Sequence, residues 1–241
     1  MSVPVPHTAM VLAAGLGTRM RPLTDACPKP LIPVRGRKLI DRVIGPLKEA
    51  GVQRIVVNVH YLPEQIEAYL KGLTDFEVIV SDERDMVLET GGGLAKARPL
   101  LGEDPVFVLN TDAFWSPEMS SPLLALAEAF DPEQEDERLL LADTGRALGF
   151  DGPGDFFMEA DGRLKRRGEA VSAPWAYAGV RIMKPQVYEG RPVERFSAVK
   201  VWDELIPAGL ARGLALDSFW LHVGDPQALK DAEMWVACHG G

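Results

Sequence analysis

Leu12-Ala13-Ala14-Gly15-Leu16-Gly17-Thr18-Arg19-Met20-Arg21-Pro22-Leu23-Thr24 grows out of an apolar run of strand length, residues 10–14. A strand, then a glycine turn, then basic residues is an order that suits phosphate binding. Successive backbone N–H groups in a glycine-rich turn cradle phosphate oxygens because no side chain blocks their approach. Gly15, Gly17 and Thr18 supply the turn, and the small Ala13 and Ala14 leave room for a base or ribose against the strand end. Arg19 and Arg21 add charge where a triphosphate would lie. Two glycines alone also suit an ordinary tight turn. The stretch lacks the third glycine of a dinucleotide fingerprint and the Gly-Lys-Ser/Thr ending of a Walker loop. Just beyond, Pro28-Lys29-Pro30-Leu31 holds a lysine between two prolines. The prolines fix φ and stiffen the segment, so Lys29 is a preorganised cation.

Outward from this stretch, apolar runs of strand length recur at 54–59, 76–80, 106–110, 139–143, 177–183 and 219–223. Most are continuous, as in strands buried on both faces of a mostly parallel sheet. Helical spacing occupies 38–50, with Leu39, Ile40, Val43, Ile44 and Leu47 on one face and Gly51 as its stop. It returns at 63–71, 94–101, 122–130, 199–211 and 226–238. The alternation predicts an α/β, Rossmann-like doubly wound sheet. An Ala160-Asp161-Gly162 turn suggests a hairpin, and 131–136 and 146–154 read as loops. No repeat or Pro/Ser-rich linker divides the 241 residues, which predicts a single domain over 1–241.

With 26 Lys and Arg against 35 Asp and Glu, the formal net charge is −9. That balance argues against nonspecific nucleic-acid or anionic-membrane binding, yet permits a locally basic pocket. Cys27 and Cys238 are too few for a disulfide framework or a four-cysteine zinc site, and read as reduced thiols. The N-terminus has no basic n-region, and 10–14 is too short for a signal or membrane segment. The expectation is a cytoplasmic protein.

Two further motifs carry chemistry. Leu88-Glu89-Thr90-Gly91-Gly92-Gly93 is either a flexible hinge or a helix entry beside a ligand. Val106-Phe107-Val108-Leu109-Asn110-Thr111-Asp112 is a strand ending in Asn and Asp. A carboxylate at the carboxyl edge of a parallel sheet lies where such folds bind ligands, although an isolated Asp there also serves as a cap or turn former.

Leu12 to Thr24 followed by Pro28-Lys29-Pro30-Leu31-Ile32-Pro33-Val34 resembles the signature of the nucleoside-diphosphate-sugar pyrophosphorylases. The resemblance spans nearly the whole chain and implies a GT-A-like nucleotidyltransferase fold. A sugar 1-phosphate attacks the α-phosphate of an NTP in that family, and pyrophosphate leaves. The resemblance implies Arg19 and Lys29 as the catalytic cations. It implies Leu12, Ala13, Ala14, Gly15, Gly17, Thr18, Gly91, Gly92 and Asn110 as nucleotide-binding, with Gly91 and Gly92 reading the base edge. Asp112 becomes the principal Mg²⁺ ligand. Residues 1–115 would form the nucleotide half and 116–241 the sugar half.

The second metal motif of the family departs here. Phe219-Trp220-Leu221-His222-Val223-Gly224-Asp225-Pro226 carries His222 where an aspartate is expected and Asp225 where a threonine is expected. Histidine is a poor Mg²⁺ ligand. Either Asp225 or a water held by His222 then takes over, or the site uses one metal, and Asp225 reads equally as only the N-cap of the last helix. By resemblance Gly154, Glu169 and Asn58 face the sugar. The usual Glu-Lys-Pro is replaced by Glu169-Ala170-Val171, which leaves Lys200 as a substitute cation or a solvated lysine. The implied substrates are UTP and N-acetylmuramic acid 1-phosphate in cell-wall recycling, ahead of GTP with mannose 1-phosphate and of glucose or heptose 1-phosphate. A nucleotide-sensing subunit without turnover is the alternative of another class. His222 favours it, while Arg19, Lys29 and Asp112 oppose it.

Overall fold

The computed structural model describes residues 5–116 and 121–239. The first strand, β1 (Thr8–Leu12), is followed by single 3-10 turns and a small strand pair, β2 (Pro33–Val34) and β3 (Arg37–Lys38). Then come α1 (Leu39–Glu49), β4 (Arg54–Val59), α2 (Pro63–Leu70), β5 (Glu77–Asp82), α3 (Glu89–Leu101) and β6 (Val106–Asn110). The second half contains β7 (Ala113–Trp115), α4 (Pro122–Ala129), β8 (Glu137–Asp143), β9 (Ala147–Leu148), β10 (Phe156–Met158), β11 (Leu164–Arg166) and β12 (Trp175–Met183). It ends with α5 (Val199–Leu205), β13 (Ala211–Ala215), β14 (Trp220–His222) and α6 (Pro226–His239).

The central sheet runs β11-β10-β12-β6-β1-β4-β5, with β8 paired to β12 and β13 paired to β8. Strands β5, β4, β1 and β6 are parallel, and they are the doubly wound core that the apolar runs predict. Beyond them β12 runs antiparallel to both β6 and β8. The chain leaves β1 towards β4 and β5, then crosses back to β6 on the other side of β1. Strand order therefore reverses between β1 and β6. Ligands in such sheets bind outside the carboxyl ends of the strands at that point.

Alternate residues of each buried strand feed two cores. Ala9, Val11, Ile55 and Val57 pack towards α1, α2 and α4. Met10, Val56 and Val108 pack towards α3 and α5. The side-chain period of two divides the strand between the faces. A smaller sheet, β7-β14-β9, packs with α6 around Met20, Phe114, Leu221 and Val223.

Strand ends shift by one or two residues from the sequence expectation, and three boundaries differ with a consequence for the site or the fold. Helix α3 starts at Glu89 and takes in all three glycines, rather than starting at 94. Gly91 and Gly92 donate their N–H groups to the Phe196 carbonyl at 2.9 and 3.1 Å. Those bonds satisfy groups that a helix start leaves orphaned, and so offset the poor helix propensity of glycine. Helix α5 stops at Leu205, where the apolar spacing suggested 211. Gly209 turns the chain at φ +74°, and residues 211–215 become β13 against β8. Strand β1 ends at Leu12, which leaves Ala13 and Ala14 in the loop. The hairpin expected around Ala160-Asp161-Gly162 is β10 and β11. Among the described residues no helix is long and apolar enough to cross a membrane.

Candidate active site

The switch point opens into a cavity of about 420 Å³. Its floor is the carboxyl end of β1 and β6 with the loop that follows β1: Leu12, Ala14, Gly15, Gly17, Thr18 and Asn110. Lys29, Asp112, Glu83, Thr90 and Ser197 complete the walls.

The glycine loop is built for close approach. Gly17 has φ +62°, and a Cβ there would meet Thr24 Cγ2 at 2.8 Å and Lys29 Cβ at 3.3 Å. The Thr24 hydroxyl donates to the Gly17 carbonyl at 2.9 Å, and the Tyr61 hydroxyl donates to the Thr24 carbonyl at 2.8 Å. Gly15 differs, because a Cβ there would meet nothing within 4 Å. Packing does not require that glycine, so the space above it is available to a ligand.

Lys29 Nζ donates to Asp112 Oδ2 at 3.1 Å. His222 Nε2 lies 3.9 Å from the same oxygen. Burial pushes the Asp112 carboxyl up, but Lys29, His222 and Arg19 outweigh it and hold it below the ordinary carboxylate value. Arg19 is exposed, with its guanidinium near Gly224, and its charge acts on both Asp112 and Asp225. Three cationic or ionisable basic groups therefore surround one carboxylate at the cleft. Among the described residues no group of three His, Cys, Asp or Glu side chains could hold a metal.

His222 is held on three sides. Its Nδ1 lies 3.1 Å from the Gly149 carbonyl, and its ring stacks on Trp220 and meets Phe150 edge-on. A carbonyl only accepts, so Nδ1 carries the proton and Nε2 is the atom presented to Asp112. Asp225 Oδ1 accepts from the N–H groups of Gln227 and Ala228, both at 2.9 Å. It caps α6, and the Ala228 N–H is the main reason its carboxyl lies below the ordinary value.

Asn58, expected at the sugar, lines the cleft beside the loop that follows β1. Its Oδ1 accepts the Ala13 N–H at 2.7 Å, and its Nδ2 donates to Glu83 Oε1 at 2.8 Å. A Cβ on Gly93 would come within 2.8 Å of Glu83 Oε1 and 3.0 Å of Asn58 Nδ2. The third glycine thus leaves room for this buried pair. Burial pushes the Glu83 carboxyl above its ordinary value, against the Asn58 hydrogen bond.

The first two glycines serve the chain that crosses them. Side chains at Gly91 and Gly92 would run into Phe196 and the Glu194 carbonyl. Their N–H groups are committed to Phe196, so they are not available to a base edge. The same segment is clasped by Thr90, whose hydroxyl oxygen accepts the Ala198 N–H at 2.9 Å. Thr90 and Ser197 thereby reach the cleft wall together.

Of the residues expected at the sugar, Gly154 borders a small side cavity with Asp155 and Arg166, at φ +79°. Glu169 and Lys200 are exposed and reach neither that cavity nor the cleft. Arg167 ties the turn that contains Glu169 by donating to the Ala170 carbonyl at 2.6 Å. Lys200 stands on the first turn of α5. Sequence reasoning missed Glu83, Thr90, Ser197 and Arg166. Glu83 had a usable signal, being a carboxylate just past the end of a parallel strand as Asp112 is. Ser197 had none, because only the crossing of α3 brings it to the site.

Residues 9–199 match the family described as the MobA-like NTP transferase domain. The chain belongs to that family. It is a nucleotidyltransferase. It is 46% identical over 237 residues to the N-acetylmuramate alpha-1-phosphate uridylyltransferase of Caulobacter vibrioides, covering 96% of this chain and 98% of that one. With the protein of the same name from Neisseria meningitidis serogroup B it shares 34% over 230 residues, covering 93% and 96%. The solved inositol-1-phosphate CTP transferase from T. maritima matches with a TM-score of 0.76 at 18% identity, over 96% of this chain and 98% of that chain. At that identity the likeness is one of fold.

Proposed function

We propose that this nucleotidyltransferase joins UTP to N-acetylmuramic acid 1-phosphate and releases pyrophosphate. The observation that carries the reading is the Lys29–Asp112 contact at 3.1 Å beside the glycine loop of a switch-point cleft. The choice of sugar and base is supported by the 46% identity to the Caulobacter protein of that name. Such a product suits reuse of cell-wall N-acetylmuramic acid. UTP is a cytoplasmic substrate, and the cytoplasm is the compartment this reading assigns.

An oxygen of the sugar phosphate attacks the α-phosphorus, and the bond to the β-phosphate oxygen breaks. The backbone of Gly15, Gly17 and Thr18 cradles the triphosphate, with Leu12, Ala14 and Asn110 lining the nucleoside side; Ala13, expected with them, is buried with its N–H taken by Asn58. Arg19 and Lys29 stabilise the charge that builds up as pyrophosphate departs. A hard cation suits one carboxylate, phosphate oxygens and waters, so the Asp112 donor set fits Mg²⁺, whereas the His222 imidazole does not. Asp112 would hold the ion, and Asp225 has only Oδ2 left for that role because Oδ1 caps α6. Bound Mg²⁺ would supply charge neutralisation on the phosphates. In this reading residues 1–115 hold the nucleotide and 116–241 the acceptor.

The test is pyrophosphate release from purified protein, with UTP, GTP, CTP, dTTP or ATP against a panel of sugar 1-phosphates and Mg²⁺. The expected maximum is UTP with N-acetylmuramic acid 1-phosphate. Release with GTP and mannose 1-phosphate alone overturns the uridylyl reading. No release with any pair supports a nucleotide sensor instead.

A further inference from the structure

Behind Thr90, Asn110 and Ser197 the nucleotide cleft adjoins a second cavity of about 260 Å³. Those three residues border both spaces. Lys29 and Asp112 line the first and not the second, while Arg166, Tyr177 and Arg181 line the second and not the first. A sugar phosphate that meets the nucleotide in the first cavity can extend its remaining substituents past Thr90, Asn110 and Ser197 towards the arginines.

The two arginines differ in what they already hold. Arg181 is 1% exposed, stands 3.3 Å from Glu137 Oε2, and donates to the Tyr177 and Tyr188 hydroxyls at 3.3 and 3.5 Å. Its charge is spent inside the protein. The Asp155 carboxylate on the same wall accepts the Tyr177 N–H at 2.9 Å. Arg166 is different. It stacks over the Phe156 ring at 5.0 Å, and its ion-pair partner is Asp203 at 3.3 Å, a half-exposed surface carboxylate. Such a pair exchanges readily for a ligand carboxylate, which a guanidinium takes in bidentate fashion.

The strand pattern makes Arg166 more pointed. In β11, Leu164 is buried in the core and Lys165 faces solvent, so Arg166 falls on the inward face with Leu164. An inward position on a strand is ordinarily apolar. An inward charge on an edge strand also discourages strand addition from outside. That role alone would leave substrate choice untouched.

We propose that Arg166 reads a carboxylate on the acceptor sugar and so selects a sugar 1-phosphate whose sugar bears a carboxylate over one whose sugar ring substituents are uncharged. This rests on the function proposed above. N-acetylmuramic acid carries a lactyl carboxylate that N-acetylglucosamine lacks, and a neutral sugar offers the Arg166 guanidinium no counter-charge.

The experiment compares kcat/KM for N-acetylmuramic acid 1-phosphate and N-acetylglucosamine 1-phosphate in the parent, Arg166→Gln and Arg166→Lys, all with UTP. The parent prefers the muramic substrate. Arg166→Gln cuts that preference by about tenfold or more, chiefly through KM for the muramic substrate, as loss of one charge-assisted pair requires. Arg166→Lys, a point charge without the fork, falls between the two. A parent that prefers the muramic substrate, with variants that keep its preference, overturns the role of Arg166 and leaves the proposed function standing. A parent that prefers the neutral sugar sinks both.

Discussion

Lys29 Nζ and Asp112 Oδ2 stand 3.1 Å apart although 83 residues separate them in the chain. The stiff Pro28-Lys29-Pro30 segment brings one partner, and the end of β6 brings the other. Lys29 helps to hold the Asp112 carboxyl ionised in a mostly buried position. Removing the cation should therefore cost catalysis more than folding. Lys29→Met is expected to lower kcat by about 100- to 1,000-fold, the usual penalty for one preorganised donor at a developing charge. Asp112→Asn is expected to lose turnover across the Mg²⁺ range. Pyrophosphate release read beside a thermal melt separates the two effects. Near-parental rates in either variant would remove the pair from the chemistry.

The same pair sets a pH dependence in the metal-free protein. The Asp112 carboxyl is held below its ordinary value of about 3.9, so the folded state favours the ionised form more than the unfolded chain does. Its contribution to stability is fully present above that ordinary value. It is lost as pH falls through the lowered one. Asp112→Asn is expected to lose less stability than the parent between about pH 4 and pH 2. Denaturant melts at a series of acid pH values measure this, and parallel curves for the two proteins would contradict it.

Two glycines in ligand-facing motifs should respond in opposite ways. Gly15 has no atom within 4 Å of a built Cβ, while Gly92 would drive one into the Glu194 carbonyl. Gly15→Ala is expected to keep parental stability and raise KM for the nucleotide. Gly92→Ala is expected to lose about 1–3 kcal/mol of stability, the usual cost of overpacking. Urea unfolding and nucleotide titration of both variants test the contrast.

Asn58 makes a third case. Its side chain joins the Ala13 N–H to the Glu83 carboxyl, and both partners are buried. Asn58→Ala leaves an N–H and a carboxyl oxygen without partners. A loss of about 1–3 kcal/mol follows for each buried group left unmade. The variant should also raise KM for the nucleotide more than for the sugar phosphate, because Asn58 steadies the loop at the end of β1. An equal rise for both substrates would return Asn58 to the sugar side.

Local chemistry explains how far the sequence could be read. The parallel core was legible because β1, β4 and β6 are continuous apolar runs buried on both faces. The place of the glycine loop at the cleft was legible because glycine, proline and basic residues sit within one stretch of chain. The role of Gly91 and Gly92 was not, since it depends on Phe196 crossing them from a hundred residues away. For the same reason Asn58 reads as a free polar end of a strand until Glu83 and Ala13 are seen on either side. Arg166 was hidden in a short hairpin, where three residues carry too little periodicity to reveal an inward-facing charge.

His222 carries the last prediction. Its Nδ1–H is committed to the Gly149 carbonyl, and Nε2 faces Asp112 Oδ2 at 3.9 Å. A hard cation gains nothing from that imidazole, and the protonated ring would oppose it. Changing His222→Asp exchanges this neighbour for a second carboxylate beside Asp112. The half-saturating Mg²⁺ concentration is expected to fall by about tenfold, since added ligand charge tightens a hard-cation site. The exchange also gives up the stacking on Trp220 and the bond to Gly149, so stability should drop by about 1–2 kcal/mol. Mg²⁺ titration of pyrophosphate release, read beside a thermal melt, follows both quantities. An unchanged Mg²⁺ requirement in a folded His222→Asp protein would mean that the ion does not sit between positions 112 and 222.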